Sequence, residues 1–386
     1  KQLKGAAGSV AGAPARAFKE LRGDGPLEGQ VLKAEQSNTA ILYDQRLFLK
    51  LFRRLEPGVN TDLEITRFLN EETDFTHTPR LAGALEYRLD ERSEPTTLAI
   101  LQSFTENSGD AWTYTLDAIG RYFERLLSQQ QPPEQAADLL SSYLADAELL
   151  GKRTAEMHLA LASRDDIPAF APEPFTPHYQ RSIYQSMRTQ AVQMLQLVRR
   201  RAKDNPDAQQ LLAREAEIQQ RFRKLLDGRI AGQRIRTHGD YHLGQVLYTG
   251  NDFVIIDFEG EPSRPLSERR IKRSPLRDVA GMLRSFHYAP YAVVFGQAPG
   301  FVVRPEDAAT LEHGAQFWHR GVSAAFLRAY FTEASRGSFL PSSDAERQTL
   351  LEAYLLEKAL YEIGYELNNR PDWVRIPLRG VLDLLR

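Results

Sequence analysis

Inside a long stretch of helical periodicity, residues 234–258 carry three short β-type runs, RIRTH, QVLYT and DFVIIDF, separated by turn signals. This interruption narrows the possible folds more than any other feature of the chain. Around it, Leu, Ala and aromatic residues recur every three or four positions over 113–127, 134–162 and 176–226, with a break at Asn205-Pro206, and again over 276–386. Before residue 104 the texture reverses. The runs VLKA, TAILYD and RLFLKLF alternate as strands do, and Asp44-Gln45 reads as a hairpin turn. A capped helical segment starts at Asn60, and two more strand-like runs lie near 81–89 and 97–104. The pattern predicts an α+β chain with a small β-rich lobe over 30–104 and a larger helical lobe over 105–386. Residues 1–29, rich in Ala, Gly and basic side chains, are expected as a loose lead-in.

Composition removes several classes of function. The net charge of −2 gives no electrostatic reason for a nucleic-acid or anionic-membrane partner. The absence of cysteine excludes disulfides, thiolate metal sites and cysteine nucleophiles, and suits a cytoplasmic protein. No apolar run approaches the roughly 18–20 residues that span a bilayer.

The β insert also concentrates the chemistry. In His238-Gly239-Asp240-Tyr241-His242-Leu243-Gly244-Gln245, an amide stands five residues after Asp240, and Asp257 closes the next apolar strand. Transfer of a phosphoryl group from ATP needs a carboxylate at the attacking hydroxyl and oxygen ligands for Mg²⁺. The string reads as H-x-D-x-x-x-x-N with Gln in place of Asn. Asp240 is thus expected as the catalytic base, with Gln245 and Asp257 as the Mg²⁺ ligands. His238 and His242 stand four apart, but a zinc pair at that spacing needs a helix, and the glycines around them indicate a loop. His238 is expected to brace that loop, and His242 to brace it or to line the pocket.

This reading predicts a two-lobed, protein-kinase-like fold, which also needs a cation on the phosphates. Lys50, ending a β run, and Glu64, on the following helix, match a strand-lysine and helix-glutamate pair; Arg53, Arg54 and Glu56 are nearby competitors. The same two residues also fit a surface lysine and an amphipathic-helix glutamate. Ser37, Asn38 and Thr39 stand where a glycine-rich phosphate loop is usual, although an ordinary polar turn has the same spacing. Gln102 falls where the inter-lobe hinge would meet adenine.

The strings AEQSNTAIL, LFRRLEPGVNTDLEITRFL, THGDYHLGQVL, IIDFEGEPSRPLSERRIKRSPLRDVAGMLRSFHYA and EKALYEIGYELNNRPDWVRIPLRG run in order from residue 33 to 380. They resemble the maltokinases, within the wider group of aminoglycoside-phosphotransferase-like kinases. The resemblance implies ATP-dependent phosphorylation of maltose at its reducing-end hydroxyl, giving maltose 1-phosphate for α-glucan and trehalose metabolism. It assigns Asp240 as the base, Gln245 and Asp257 to Mg²⁺, and Lys50 with Glu64 to the nucleotide. It also implies that Ser37, Asn38 and Thr39 replace the glycine loop. On the C-terminal string, Tyr361, Glu362, Tyr365, Glu366, Asn369 and Arg370 are candidates for the sugar, although Tyr361 and Tyr365 also have the spacing of a core stripe. Maltokinases usually carry an N-terminal cap with a Trp-Phe and basic signature, and no such string precedes Gln30. Residues 1–29 are therefore expected as a remnant of that cap. Fusions in which a trehalose synthase precedes the kinase make that enzyme an expected partner. The alternatives are a kinase of the same fold acting on another sugar or amino alcohol, and a non-catalytic kinase-like module.

Overall fold

The computed structural model describes residues 2–32, 38–296 and 301–386. In chain order it begins with strands β1 (Gln2–Gly5) and β2 (Gly8–Pro14), helix α1 (Phe18–Arg22) and strands β3 (Gly29–Val31), β4 (Thr39–Tyr43) and β5 (Leu47–Leu51). Helix α2 (Thr61–Glu72) and strands β6 (Leu81–Arg88) and β7 (Thr96–Ser103) follow. The helical part opens with α3 (Ala111–Gln129), α4 (Ser141–Leu161), β8 (Glu173–Pro174), α5 (Pro177–Arg201), α6 (Pro206–Ala213), α7 (Glu215–Arg223) and β9 (Gln233–Arg234). Next come β10 (Val246–Tyr248), β11 (Phe253–Ile255) and the short α8 (Leu266–Arg269). The chain closes with α9 (Leu276–Val294), α10 (Ala308–Ala334), α11 (Asp344–Asn369) and α12 (Arg375–Leu384).

These elements fall into two units. The first holds residues 1–109 together with 238–240 and 245–271; the second holds 110–237, 241–244 and 272–386. The chain first passes between units after Gly109, and the β insert groups with the first unit although it lies within the span expected for the helical lobe.

Among the described residues, the first unit is built on a seven-stranded antiparallel sheet in the order β1-β2-β6-β7-β5-β4-β3. The β4–β5 hairpin turns at Asp44 and Gln45, whose φ angles of 48° and 51° are the positive values a two-residue turn uses to match the right-handed twist of the strands. On β5, alternation places Phe48 and Lys50 on the face opposite Leu47 and Leu49. Helix α2 starts where the Asn60 side chain accepts a hydrogen bond from the Asp62 N–H at 2.8 Å. Its Leu63 packs with Phe52, Leu81, Ala84 and Ile100 in the core of this unit. Residues 2–14, expected as a loose lead-in, instead form β1 and β2 and extend the sheet beyond β6. Gly8-Ser-Val-Ala-Gly-Ala-Pro has too few large side chains to show an alternation, so pairing with β6, not hydropathy, sets its register.

The second unit is mainly helical. α4 packs along α10, where Gly151 lets the two backbones approach: a Cβ there would stand 2.3 Å from the Phe326 carbonyl oxygen. Helix α9 is buried along nearly all its length, and Trp318, Phe286, Phe326 and Tyr330 fill the surrounding core. No helix among the described residues is long and apolar enough to cross a membrane.

Candidate active site

The strand β5, the start of α2 and the segment after β11 bring one cation and three carboxylates together within the first unit. The Lys50 ammonium is ion-paired with Asp62 at 3.1 Å, with Asp257, and with Glu259. Asp62, 1% exposed, is the most deeply held of the three acids, and it also accepts the Phe258 backbone N–H at 3.1 Å. Glu259 accepts the Asn38 side-chain amide at 2.8 Å, while its carbonyl accepts the Thr61 hydroxyl at 2.8 Å. Asp257 has φ = 68°, a left-handed conformation rare for a side-chain-bearing residue and typical of functional sites. The backbone turns there immediately after β11, swinging the carboxylate toward Lys50.

Electrostatics follow from this packing. Burial alone would lower the Lys50 pKa, but Asp62, Asp257 and Glu259 outweigh it and hold the ammonium protonated, well above its ordinary value. Burial pushes Asp257 upward, yet Lys50, the His238 ring and a hydrogen bond from Gln245 bring its carboxyl below the usual range. Glu259 moves the other way: burial raises it, and the charges of Asp257 and Asp62 add to that against the pull of Lys50.

The loop carrying Asp240 is braced locally. The His238 Nε2–H donates to the Ile256 carbonyl at 2.9 Å, and its Nδ1 faces the Asp240 backbone N–H at 3.4 Å. Its ring lies 4.9 Å from that of Phe258. Gly239, at φ = 89°, makes the turn before Asp240. Gln245 continues the brace, its carbonyl accepting the Ile256 N–H at 3.0 Å.

Several expected residues thus converge: Lys50, Asp257, Gln245 and Asn38 form one connected set in the first unit. Glu64 does not take its expected place. Asp62 is the helix partner of Lys50, and Glu64 pairs with Arg270 at 3.3 Å. Residues two apart on a helix point in nearly opposite directions, so only one of the two acids can face the strand lysine. Sequence reasoning also missed Glu259; its place two residues after Asp257 was the available signal. Thr39 lies in β4 opposite Leu51, Gln102 is buried on β7 opposite Phe48 and Leu81, and Ser37 lies outside the described residues.

In the second unit, His242 is not on a helix, and its Nδ1 accepts the Gly244 N–H at 3.1 Å. On α11, Tyr365 is 47% exposed and Tyr361 half-buried, so these two rings are not the core stripe their spacing allows. Lys358 lies over the Tyr361 ring and Arg370 over that of Tyr365. Both nearby carboxylates are engaged: Glu362 accepts two bonds from Arg284, and buried Glu366 accepts from Arg370 and from the Tyr288 hydroxyl. Asn369 caps back onto the Tyr365 carbonyl at 2.8 Å.

Residues 28–260 match the phosphotransferase enzyme family, APH, which accounts for more than half of the chain. The chain belongs to this family. It is a phosphotransferase with the two-lobed α+β kinase-like fold, of the kind that uses ATP and Mg²⁺. A glucosamine kinase of Streptacidiphilus jiangxiensis is 26% identical over 375 residues, covering 95% of this chain and 76% of that protein. A glucosamine kinase of Mycolicibacterium smegmatis is 32% identical over 142 residues, or 36% of this chain and 32% of the relative. Among solved structures, a glucosamine kinase in complex with glucosamine, ADP and inorganic phosphate superposes with a TM-score of 0.73. That match covers 100% of this chain and 94% of the other at 24% identity, and it bears on the fold alone.

The residues present fit a divalent cation. Asp257 has the Gln245 side chain against it, and Asp62 and Glu259 each place an oxygen within 4.8 Å of its carboxylate, so three acids surround the single Lys50 ammonium. Hard oxygen donors with that excess charge suit Mg²⁺.

Proposed function

We propose that this phosphotransferase is an ATP-dependent sugar kinase whose acceptor is the anomeric hydroxyl of maltose. The observation that carries the kinase reading is the Lys50–Asp62–Asp257 set, with Gln245 bonded to Asp257 and Asp240 on the braced loop. Lys50 binds the ATP phosphates, and Asn38 and Thr39 stand at the start of β4 for the same ligand. Asp257 and Gln245 are the residues to hold Mg²⁺, which when bound supplies charge neutralisation on the phosphates. Asp240 orients the sugar hydroxyl and takes its proton as the oxygen attacks the γ-phosphorus; the bond to the β-phosphate oxygen breaks and ADP leaves. In a loose transition state the proton acceptor contributes less than positioning and charge stabilisation.

The choice of maltose is supported by the strings shared with maltokinases and by α11. Its exposed Tyr365 and half-buried Tyr361 offer ring faces to a neutral disaccharide, while Glu362 and Glu366 are already held by guanidinium groups. A free carboxylate would be the natural partner for an amino group. The relatives favour a second reading, in which glucosamine is the acceptor. Association with a trehalose synthase rests on the maltokinase resemblance alone.

The test is ADP release by the purified chain with Mg-ATP and maltose, glucosamine, glucose or no acceptor. Maltose-dependent release is expected. Release with glucosamine alone selects the second reading, and silence with every sugar while ATP still binds overturns both.

A further inference from the structure

Within the second unit, α9, α10, α11 and α12 line a cavity of about 330 Å³. His287 points into it from α9. It is 3% exposed, and neither ring nitrogen has a hydrogen-bond partner. The nearest carboxylate oxygen, on Asp383, lies 3.9 Å from Nε2, beyond hydrogen-bond reach. From α10, the Ser323 hydroxyl oxygen is likewise buried and unpartnered. The His319 ring stands edge-on to His287 with centroids 5.2 Å apart, and it is hydrogen-bonded to the Leu283 backbone. Leu327, Leu351 and Leu355 provide the apolar part of the wall, and exposed Arg320 and Arg386 carry the lining out to solvent.

Buried polar atoms in native proteins are almost always paired, so two side chains left open in one cavity point to an occupant. Burial, with the nearby Arg284 charge, lowers the pKa of His287 well below its ordinary value, which leaves it neutral with one N–H and one lone pair. The Ser323 hydroxyl also both donates and accepts, Asp383 only accepts, and Arg320 only donates. A simple cation would satisfy the acceptors alone and a simple anion the donors alone. Hydroxyl groups satisfy both. The volume lies at the small end of the range for ligand pockets, roughly 300–1,000 Å³.

We propose that this cavity is a second, non-catalytic binding site for a small neutral polyol of single-hexose size, recognised by His287 and Ser323. The site has a route to α11. Arg284 forms part of the wall, and its guanidinium grips Glu362 at 2.9 and 2.7 Å, next to Tyr361. An occupant that moves Arg284 therefore acts on the helix that carries the candidate sugar-facing rings. This inference does not depend on which acceptor the kinase uses.

The experiment is ¹⁵N spectroscopy of the histidine rings in the full chain during titration with D-glucose and, separately, myo-inositol. The His287 ring signals, identified by their loss in His287→Leu, are expected to shift saturably with at least one probe. Ser323→Ala, a milder change, is expected to weaken that probe several-fold while circular dichroism shows an intact fold. Unmoved His287 signals with both probes overturn the site and leave ordered water as its content. A shift that disappears in Tyr361→Ala also overturns it, because the response then originates at the catalytic sugar site. The kinase reading fails or stands separately, on ADP release.

Discussion

At the scale of single residues, the site depends on which side chain faces Lys50. Asp62 is 1% exposed and bonded to both the Lys50 ammonium and the Phe258 N–H, so its loss removes one of the three carboxylates around Lys50 and leaves the Phe258 N–H without that acceptor. Asp62→Ala is expected to lower kcat/KM by about two orders of magnitude, a loss typical of removing one preorganised electrostatic contact. Glu64→Ala, which breaks a part-exposed pair with Arg270, is expected to change it by less than about threefold. Equal losses in steady-state assays of the two variants would return Glu64 to the nucleotide clamp. Asp240→Asn is expected to remove nearly all turnover while ADP affinity, measured by calorimetry, stays within about twofold, since its proposed role is at the acceptor hydroxyl. Near-normal turnover would refute the base assignment. Asp240, Gln245 and Asp257 stood out because two acids and an amide occur in a fixed order at short spacings within strand-forming sequence, and Lys50 because it ends an apolar β run. Asp62 was not, because one string carries two acids and only the rotational phase of α2 distinguishes them.

At the scale of elements, close backbone approach holds the segment that follows Asp240 in place. Gly281 on α9 lies under Tyr241: a Cβ there would stand 2.5 Å from the Tyr241 carbonyl oxygen. The Tyr241 hydroxyl is in turn hydrogen-bonded to Thr154 on α4 at 2.9 Å, so the loop has little room to retreat. Gly281→Ala is expected to cost about 1–3 kcal/mol in urea unfolding and to lower kcat by displacing the residue after Asp240. Unchanged stability and turnover would show that the loop can give way. The start of α2 offers a milder test. Removing the Asn60 cap as Asn60→Ala is expected to cost about 1 kcal/mol in the same assay, and no loss would mean that tertiary contacts alone hold that turn. The helices were readable from their periodicity and the β4–β5 hairpin from its turn. β1 and β2 were not, because Gly and Ala side chains are too small to mark a face.

At the scale of the whole molecule, two histidines that line the α9–α10 cavity link folding to pH. Burial lowers the pKa of both His287 and His319, with Arg284 adding to the effect at His287 and His287 itself at His319. The unfolded chain therefore binds protons below about pH 6.5 that the folded chain refuses, so stability falls as the pH drops below that value. It continues to fall until the depressed folded pKa is reached. Each histidine is expected to contribute a slope of about 1.4 kcal/mol per pH unit in that window. Urea unfolding between pH 7 and pH 5 is expected to show it, and His287→Leu to remove one proton's share; an identical slope in the variant would contradict the assignment. The order of β-rich and helical segments, the kinase-like class and the chemical centre were determined by the sequence, because they depend on local periodicity and on short strings of chemically distinct residues. Tertiary structure alone assigned residues 238–240 and 245–271 to the first unit, gave Lys50 its partner Asp62, and collected His287, Ser323 and Asp383 around one cavity. Those juxtapositions join residues from 12 positions apart, as in Lys50 and Asp62, to segments far more distant along the chain. They arise when distant apolar faces are buried together, and no local pattern in the chain records which faces will meet.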